Sequence, residues 1–468
     1  MNRERNHLVA VDLGSTFTRA LVVEVLDSGE DASPLRFLGF GEAESQGWRK
    51  GTIAHLDPVS SSVKESVGQA EAMAGVSVES AVVGIGGPHI QGLSSRASLT
   101  LSSRPRQVSR EDVRRVIESA RHLSLPKDRE ILHMVPQEFV LDAQGGIRDP
   151  IGMQASRLEV QVYLLTGSVA ASQSVVTAVN RAGIVVETVV AEAFAVGEAV
   201  VTPAERELGA WVVVLGGGSC EMVAYYQGGL RMAAVIPIGG DHFTNDVAVG
   251  LHTGLPEAEV VKKTFGSVFS LGSHDGISFE VPGLGKQPSR LVPRHTLMAI
   301  LEPRAQELLG FALEELRRCG LEQRLGAGIV LSGGGARLHG ICDLAEQMFS
   351  VPARLGLPSY AHAAEGVPSR AAASEGLQPR IVDLPETLDS PDYATLVGLL
   401  LYGFRVRRLR TTLDPGAAED QPLRRVLAGL ERHAQRAPVA YRAREGESDF
   451  SPAVTPSTSS PPFHQLSL

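Results

Sequence analysis

The sequence predicts an α/β fold made of two duplicated lobes, with a small insert in the first. Three observations predict it. Trp211–Tyr226 (WVVVLGGGSCEMVAYY) reads as an apolar strand, a glycine turn and a second strand, which is a hairpin. Leu8–Val25 (LVAVDLGSTFTRALVVEV) repeats the pattern near the N-terminus. A third glycine turn, Gly333–Gly335, follows a buried run, Ala327–Leu331, and precedes a helical pattern over Leu338–Phe349.

Laying Asp12-Leu13-Gly14-Ser15 over Val214-Leu215-Gly216-Gly217 superposes the two hairpins. Glycines in such turns reach positive φ and bring bare backbone close to a neighbour. Their amides then form a concavity that suits an anion. Two such hairpins, far apart in one chain, point to half-domains closing on one nucleotide. The overlay also exposes an asymmetry: Asp12 stands where the second copy has Val214. Two facing acids would hold the hydrated magnesium ion of a nucleotide, and here one is apolar. The P-loop pattern GxxxxGK[ST] is absent, as is a dinucleotide GxGxxG in the right context.

Bulk properties narrow the classes. A chain of 468 residues can hold two to four cores. Its net charge of −9 argues against a general nucleic-acid binder. Cys220, Cys319 and Cys342 are widely spaced, which fits reduced thiols rather than a disulfide frame or zinc site. The histidines show no ligand spacing. The N-terminal apolar run already contains Asp12 and reads as a strand, not a signal peptide. No apolar run approaches the ~20 residues of a membrane span.

The remaining elements follow in order. Leu35–Glu42 reads as a strand. Asp57–Ala74 reads as a helix capped by Asp57, with Val59, Val63, Val67, Ala70 and Met73 on its apolar face. Ser80–Ile85 is a buried strand ended by Gly86-Gly87-Pro88. From about His89 to Leu165 lies a separate α/β unit. It has a Ser109-capped helix, strands over Glu130–Asp142 and Leu158–Thr166, and a glycine-rich loop, Ala143–Met153, between them. Helix, strand and helix follow over Val169–Ala182, Val185–Val190 and Ala191–Val201. Leu230–Pro237 is a strand; Gly239-Gly240-Asp241 opens a helix; Pro256–Phe265 is another, carrying Glu259 and Lys262 one turn apart. Gly266–Leu291 reads as irregular, Thr296–Cys319 as a long amphipathic helix and Tyr393–Phe404 as the last patterned element. Beyond Arg405 arginines outnumber acids, and Ser451–Leu468 is too rich in Ser, Thr and Pro to bury a core.

With these motifs in place, Leu8–Phe404 resembles FtsA, the actin-like bacterial cell-division family. The hairpins and the Gly333 turn are shared by the actin/Hsp70/sugar-kinase superfamily and set the fold only. The specific signals are HMVPQEF (133–139), GIRDPIG (146–152), VIPIGGDHFTND (235–246), LEPR (301–304), GIVL (328–331) and YATLVGLL (393–400). The resemblance implies an actin-like (ribonuclease H-like) two-lobed α/β fold with duplicated sheet-and-helix halves. It divides the chain into subdomain 1A (1–85 and 166–205), an inserted subdomain 1C (86–165), 2A (206–238 and 313–404), 2B (239–312) and a flexible tail (405–468).

It also implies roles. Asp12, Gly14, Ser15 and Thr16 would line the first phosphate turn, and Gly216, Gly217, Gly218 and Ser219 the second. Gly239 and Gly240 would adjoin it. Glu259 and Lys262 would border the ribose and base, and Gly333, Gly334 and Gly335 the adenosine. Asp12 would reach magnesium through water. Arg294, Glu302 and Arg304 would receive the C-terminal peptide of FtsZ, and 86–165 would meet a second copy and later division proteins.

Two departures matter. The family has an acid at the place of Val214, a threonine at Ser219 and an aspartate at Glu221, so the expectation is ATP binding with slow or absent hydrolysis. The family's basic amphipathic end has its nearest counterpart upstream of the terminus, at Gln421–Arg436, where Leu423, Val426, Leu427 and Leu430 form a stripe among arginines. The expected function is an ATP-binding, self-associating scaffold that links FtsZ to the membrane. The rivals are a small-molecule kinase of the same superfamily and a PilM-like adaptor of type IV pili.

Overall fold

The computed structural model describes residues 6–26, 35–49, 51–122, 124–269, 277–285, 287–358 and 381–411. The predicted tail stripe, 421–436, lies outside them. The first lobe opens with β1 (His7–Leu13), β2 (Phe17–Val25), β3 (Leu35–Glu44), the short pair β4 (Trp48–Arg49) and β5 (Thr52–Ile53), α1 (Leu56–Ala74) and β6 (Ser80–Ile85). An excursion follows: β7 (Gln91–Thr100), β8 (Arg106–Gln107), α2 (Arg110–Arg121), β9 (Arg129–Leu141), β10 (Gln144–Ile147), β11 (Gln154–Ala155) and β12 (Arg157–Ser168). The lobe resumes with α3 (Val169–Arg181), β13 (Val185–Ala191), α4 (Glu192–Val200) and α5 (Pro203–Leu208).

The second lobe has β14 (Ala210–Leu215), β15 (Cys220–Tyr226), β16 (Gly229–Ile236), α6 (Gly240–Gly250), α7 (Leu255–Phe265), β17 (Ser278–Val281), β18 (Arg290–Pro293) and α8 (Arg294–Arg318). Then come β19 (Gly328–Ser332), α9 (Ile341–Phe349) and β20 (Ala353–Leu355). The chain returns to the first lobe with β21 (Ile381–Val382) and α10 (Ala394–Thr411).

The sheets carry the duplication. The first runs β13-β6-β1-β2-β3-β21 and the second β20-β19-β14-β15-β16. In each, the first hairpin strand pairs antiparallel with the second and parallel with the strand on its other side. Strands buried on both faces read as continuous apolar runs, which is why AWVVVL and GIVLS were legible. Between the sheets lie α4 and α10. Nearly all of α4 is buried, and α10 packs against it through Gly398, where any side chain would strike the Ala195 carbonyl. This helix pair joins the lobes in one core that holds Val82, Phe194, Val214, Val223 and Tyr402.

The excursion builds its own four-stranded sheet, β10-β9-β12-β7, under α2. Ser109 caps α2 by a reciprocal capping box with Asp112, as the spacing predicts. Four local expectations are corrected. His55, not Asp57, is the N-cap of α1, so Asp57 acts from within the first turn. Met73 is 59% exposed, beyond the buried stripe. Residues Gln144–Ile147 of the glycine-rich loop pair with β9, because ladder bonds outweigh glycine's low strand propensity. Part of the irregular 266–291 segment forms the β17–β18 pair.

Candidate functional site

The two hairpin turns meet face to face. Ser15 Oγ accepts a hydrogen bond from the Gly218 amide at 3.0 Å. A side chain at Gly217 would strike the hydroxyls of Ser15 and Thr16, so only glycine lets the turns approach this closely. The second turn is closed by Gly216 N–H donating to Ser219 O at 2.9 Å. It is braced from below at the start of α6. Gly240 N–H donates to Gly216 O, and Asp241 N–H to Gly217 O, both at 2.9 Å.

Lys262 and Glu259 flank that brace. The Lys262 ammonium lies 2.6 Å from Glu259, 2.8 Å from Thr244 Oγ1 and 3.1 Å from Gly240 O. Burial raises the Glu259 carboxyl, but its bonds from Lys262 and Thr244 outweigh this and hold its pKa below the ordinary value. The third turn meets the segment that leads into α10. Gly333, at φ +79°, donates its N–H to Pro391 O at 3.0 Å. Arg337 reaches the Asp392 carboxylate at 2.9 Å, and Arg19 of β2 reaches the Asp392 carbonyl at 3.0 Å. The residues predicted from both hairpins and from Gly239, Gly240, Glu259 and Lys262 are therefore brought together, and Gly333–Gly335 packs against Leu215 and the Pro391–Asp392 segment.

Beneath the turns lies a cluster of carboxyls. Asp12 is cross-strand partner to Arg19, and Val214 is cross-strand partner to Glu221. The pseudo-symmetric positions have exchanged roles: the first lobe carries its acid on the first hairpin strand, the second lobe on the second strand. Directly paired residues share a sheet face, so Glu221 points where an acid at 214 would point. The second lobe therefore keeps an acid on this face, at Glu221, beside the apolar Val214.

Glu221 accepts the Gly87 amide at 2.6 Å, and the Ala193 amide at the start of α4 helps to hold its pKa down. Glu192, the first residue of α4, reaches the same place. A side chain at Gly86 would strike an oxygen of both Glu192 and Glu221. Asp12 and Glu221 are buried, and Glu192 is half-buried. Burial raises Asp12 to about 6, against the pull of Arg19. Burial raises Glu221 to about 7, with the Asp12 charge adding to it and the two amides opposing. Burial, then the charges of Glu221 and Asp12, push Glu192 well up. Glu192 also borders a cavity of about 230 Å³ behind the cluster, walled by Trp48, Gly86, His89 and Ser174.

Oxygen-only donors fit a hard divalent cation. Among the described residues no three ligating side chains converge closely enough to hold a metal ion directly. The cluster therefore suits magnesium that keeps its waters. Sequence reasoning missed Glu192 and undervalued Glu221. The available signals were a lone acid opening the apolar run AFAVGEAVV and an acid within the CEMVAYY strand.

The three predicted docking residues stand apart from the cleft. Arg304 of α8 is already paired with Asp246 of α6 at 2.5 Å and with Glu307. Arg294 donates to Phe265 O at 3.1 Å, and Glu302 accepts from Gln306 at 3.0 Å.

Duplicated sheets, an interlobe helix pair and facing glycine turns define an actin-like protein. The PilM protein of a PilM–PilN type IV pilus biogenesis complex shares the fold with TM-score 0.53 at 20% identity, over 85% of this chain and 98% of that one. MreB 5 of Spiroplasma citri, solved with AMPPNP, shares it with TM-score 0.50 at 12% identity, over 88% and 100%. A family profile described as the SHS2 domain inserted in FtsA matches residues 87–166, and one described as cell division protein FtsA matches 212–398. The FtsA of Pseudomonas aeruginosa is 34% identical over 431 residues, 92% of this chain and 97% of that one. The FtsA of Escherichia coli K12 is 33% identical over 409 residues, 86% and 91%. The chain belongs to the FtsA family of cell-division proteins.

Proposed function

We propose that the chain is a division scaffold that binds MgATP between its lobes and assembles into actin-like filaments. It tethers FtsZ polymers to the cytoplasmic face of the inner membrane at the division site, and later division proteins dock on the 86–165 insert. The observation that carries this reading is the convergence, across the two lobes, of two phosphate-type turns over three carboxyls. Ser15, Thr16 and the Gly216–Ser219 turn would hold the polyphosphate, and Glu259 and Lys262 would border the ribose and base. Asp12, Glu192 and Glu221 would hold the waters of magnesium, whose charge neutralises the phosphates.

The FtsZ peptide would dock beside α8, on Arg294 and Glu302. Arg304 would shape that surface through its pair with Asp246. A pull-down with the FtsZ C-terminal peptide tests the reading. Capture by wild type and loss of about tenfold or more with Arg294→Glu are expected. Capture of a pilus-protein cytosolic tail in place of the FtsZ peptide would favour a PilM-like adaptor, the second reading that the shared fold admits.

Membrane contact would come from 421–436, where Leu423, Val426, Leu427 and Leu430 form an apolar stripe among arginines. Removing 414–468 is expected to abolish pelleting with anionic vesicles. Unchanged pelleting would take the tail out of the account.

A further inference from the structure

We propose that His133, which the insert contributes, is a positioning residue for the acid Glu192. His133 lies on β9, yet its ring leaves the insert and ends in the core between the lobes, 4% exposed. Its Nε2 accepts the backbone N–H of Ala191 at 3.0 Å. Ala191 is the N-cap of α4, in extended conformation (φ −62°, ψ 127°), and its own side chain cannot cap. Glu192 is the next residue.

The peptide that His133 grips is therefore Val190–Ala191, one residue before the Cα from which the Glu192 side chain leaves the backbone. Glu221 of the second lobe lies near the Ala193 amide, which helps to hold its pKa down. The start of α4 is thus held from the insert at Ala191, directly before Glu192, with Glu221 of the second lobe close by. In this way the insert and the acid cluster share one mechanical element.

The ring has little freedom to do otherwise. Phe194 lies 4.7 Å away by ring centroids, and Tyr402 of α10 packs edge-on at 5.4 Å. The Tyr402 hydroxyl faces Nδ1 at 3.4 Å. An acceptor at Nε2 places the imidazole proton on Nδ1. Burial first, then the Arg405 charge, against the pull of Glu198, hold the imidazole pKa near 3, so the ring stays neutral and the grip persists through the working pH range. Partners that orient a metal-facing group typically matter 10–100-fold in metal affinity.

The inference rests on the MgATP reading above, and binding of ATP to the full chain, with magnesium or with EDTA, separates the two. His133→Phe keeps an aromatic ring but loses the acceptor. It is expected to lose about tenfold or more of the affinity gained on adding magnesium, with the EDTA affinity unchanged. His133→Gln, whose Oε1 reaches as far as Nε2, is expected to restore the gain. A purely packing role would lower both affinities together and would not be rescued by Gln. If His133→Phe does not fold, His133→Asn, too short to reach Ala191, is judged by the same criterion.

A full magnesium gain in His133→Phe, or its equal loss in His133→Gln, overturns the inference alone. No magnesium gain in the wild type overturns the MgATP reading and the inference with it.

Discussion

Glu192→Gln is expected to raise the melting temperature of the ligand-free protein at pH 8 and to change it little at pH 5. The three carboxyls repel one another, and burial has taken water from Asp12 and Glu221, so the cluster opposes folding whenever it must ionise. The sign follows from proton counts. In the unfolded chain Asp12 and Glu221 release their protons near 3.8 and 4.5; folded, they hold them to about 6 and about 7. Between those values the native state binds more protons, so stability falls as pH rises. It is full below about pH 4 and declines through about pH 6–7.

A glutamine at 192 removes one ionisation and one source of repulsion. A gain of about 1 kcal/mol corresponds to roughly 2–4 °C in a domain of this kind. The same substitution is expected to weaken MgATP about 10–100-fold while sparing ATP in EDTA. Thermal melts across pH 5–8 and binding with and without magnesium check both halves. A variant that melts lower than wild type at pH 8 would show the carboxyl to be a structural partner rather than a strained one. The cluster then reads as stability given up for a cation, a trade often found at functional sites.

What the sequence made legible, and what it hid, has a physical pattern. The hairpins Leu8–Val25 and Trp211–Tyr226 were readable because turn chemistry is local: apolar β-runs around glycines specify the geometry within a few residues. The exchange between positions 214 and 221 was not, because it depends on register. Aligning the two copies residue by residue compares each strand only with its counterpart, whereas Glu221 substitutes for position 214 from across the ladder.

Glu192 was hidden for a related reason. It opens a helix whose remaining residues are core, and its meeting with Glu221 and Asp12, about 30 and 180 residues away in sequence, is set by the tertiary fold. His133 was visible inside HMVPQEF as a motif residue, but the sheet register that turns it inward exists only once β9 has paired with β12. Lys262 shows the opposite case: its helical spacing from Glu259 was readable, and the fold added Thr244 and Gly240.

Val214→Asp tests whether the exchange is real. On the sequence alone this change restores a missing acid and ought to awaken turnover. In the structure Val214 is 7% exposed, belongs to the interlobe core and faces Glu221 directly. A fourth carboxyl there would lose its water, leave an apolar cluster and stand opposite a like charge. The expected result is a loss of about 2–4 kcal/mol at pH 8, of the order found when a charge is buried without a partner. That loss should shrink as pH falls towards 5, where the new acid can stay protonated. Phosphate release should not rise. A tenfold gain in magnesium-dependent release without loss of stability would sink the exchange, because it would mean that position 214, and not 221, is where the second lobe presents its acid to the nucleotide.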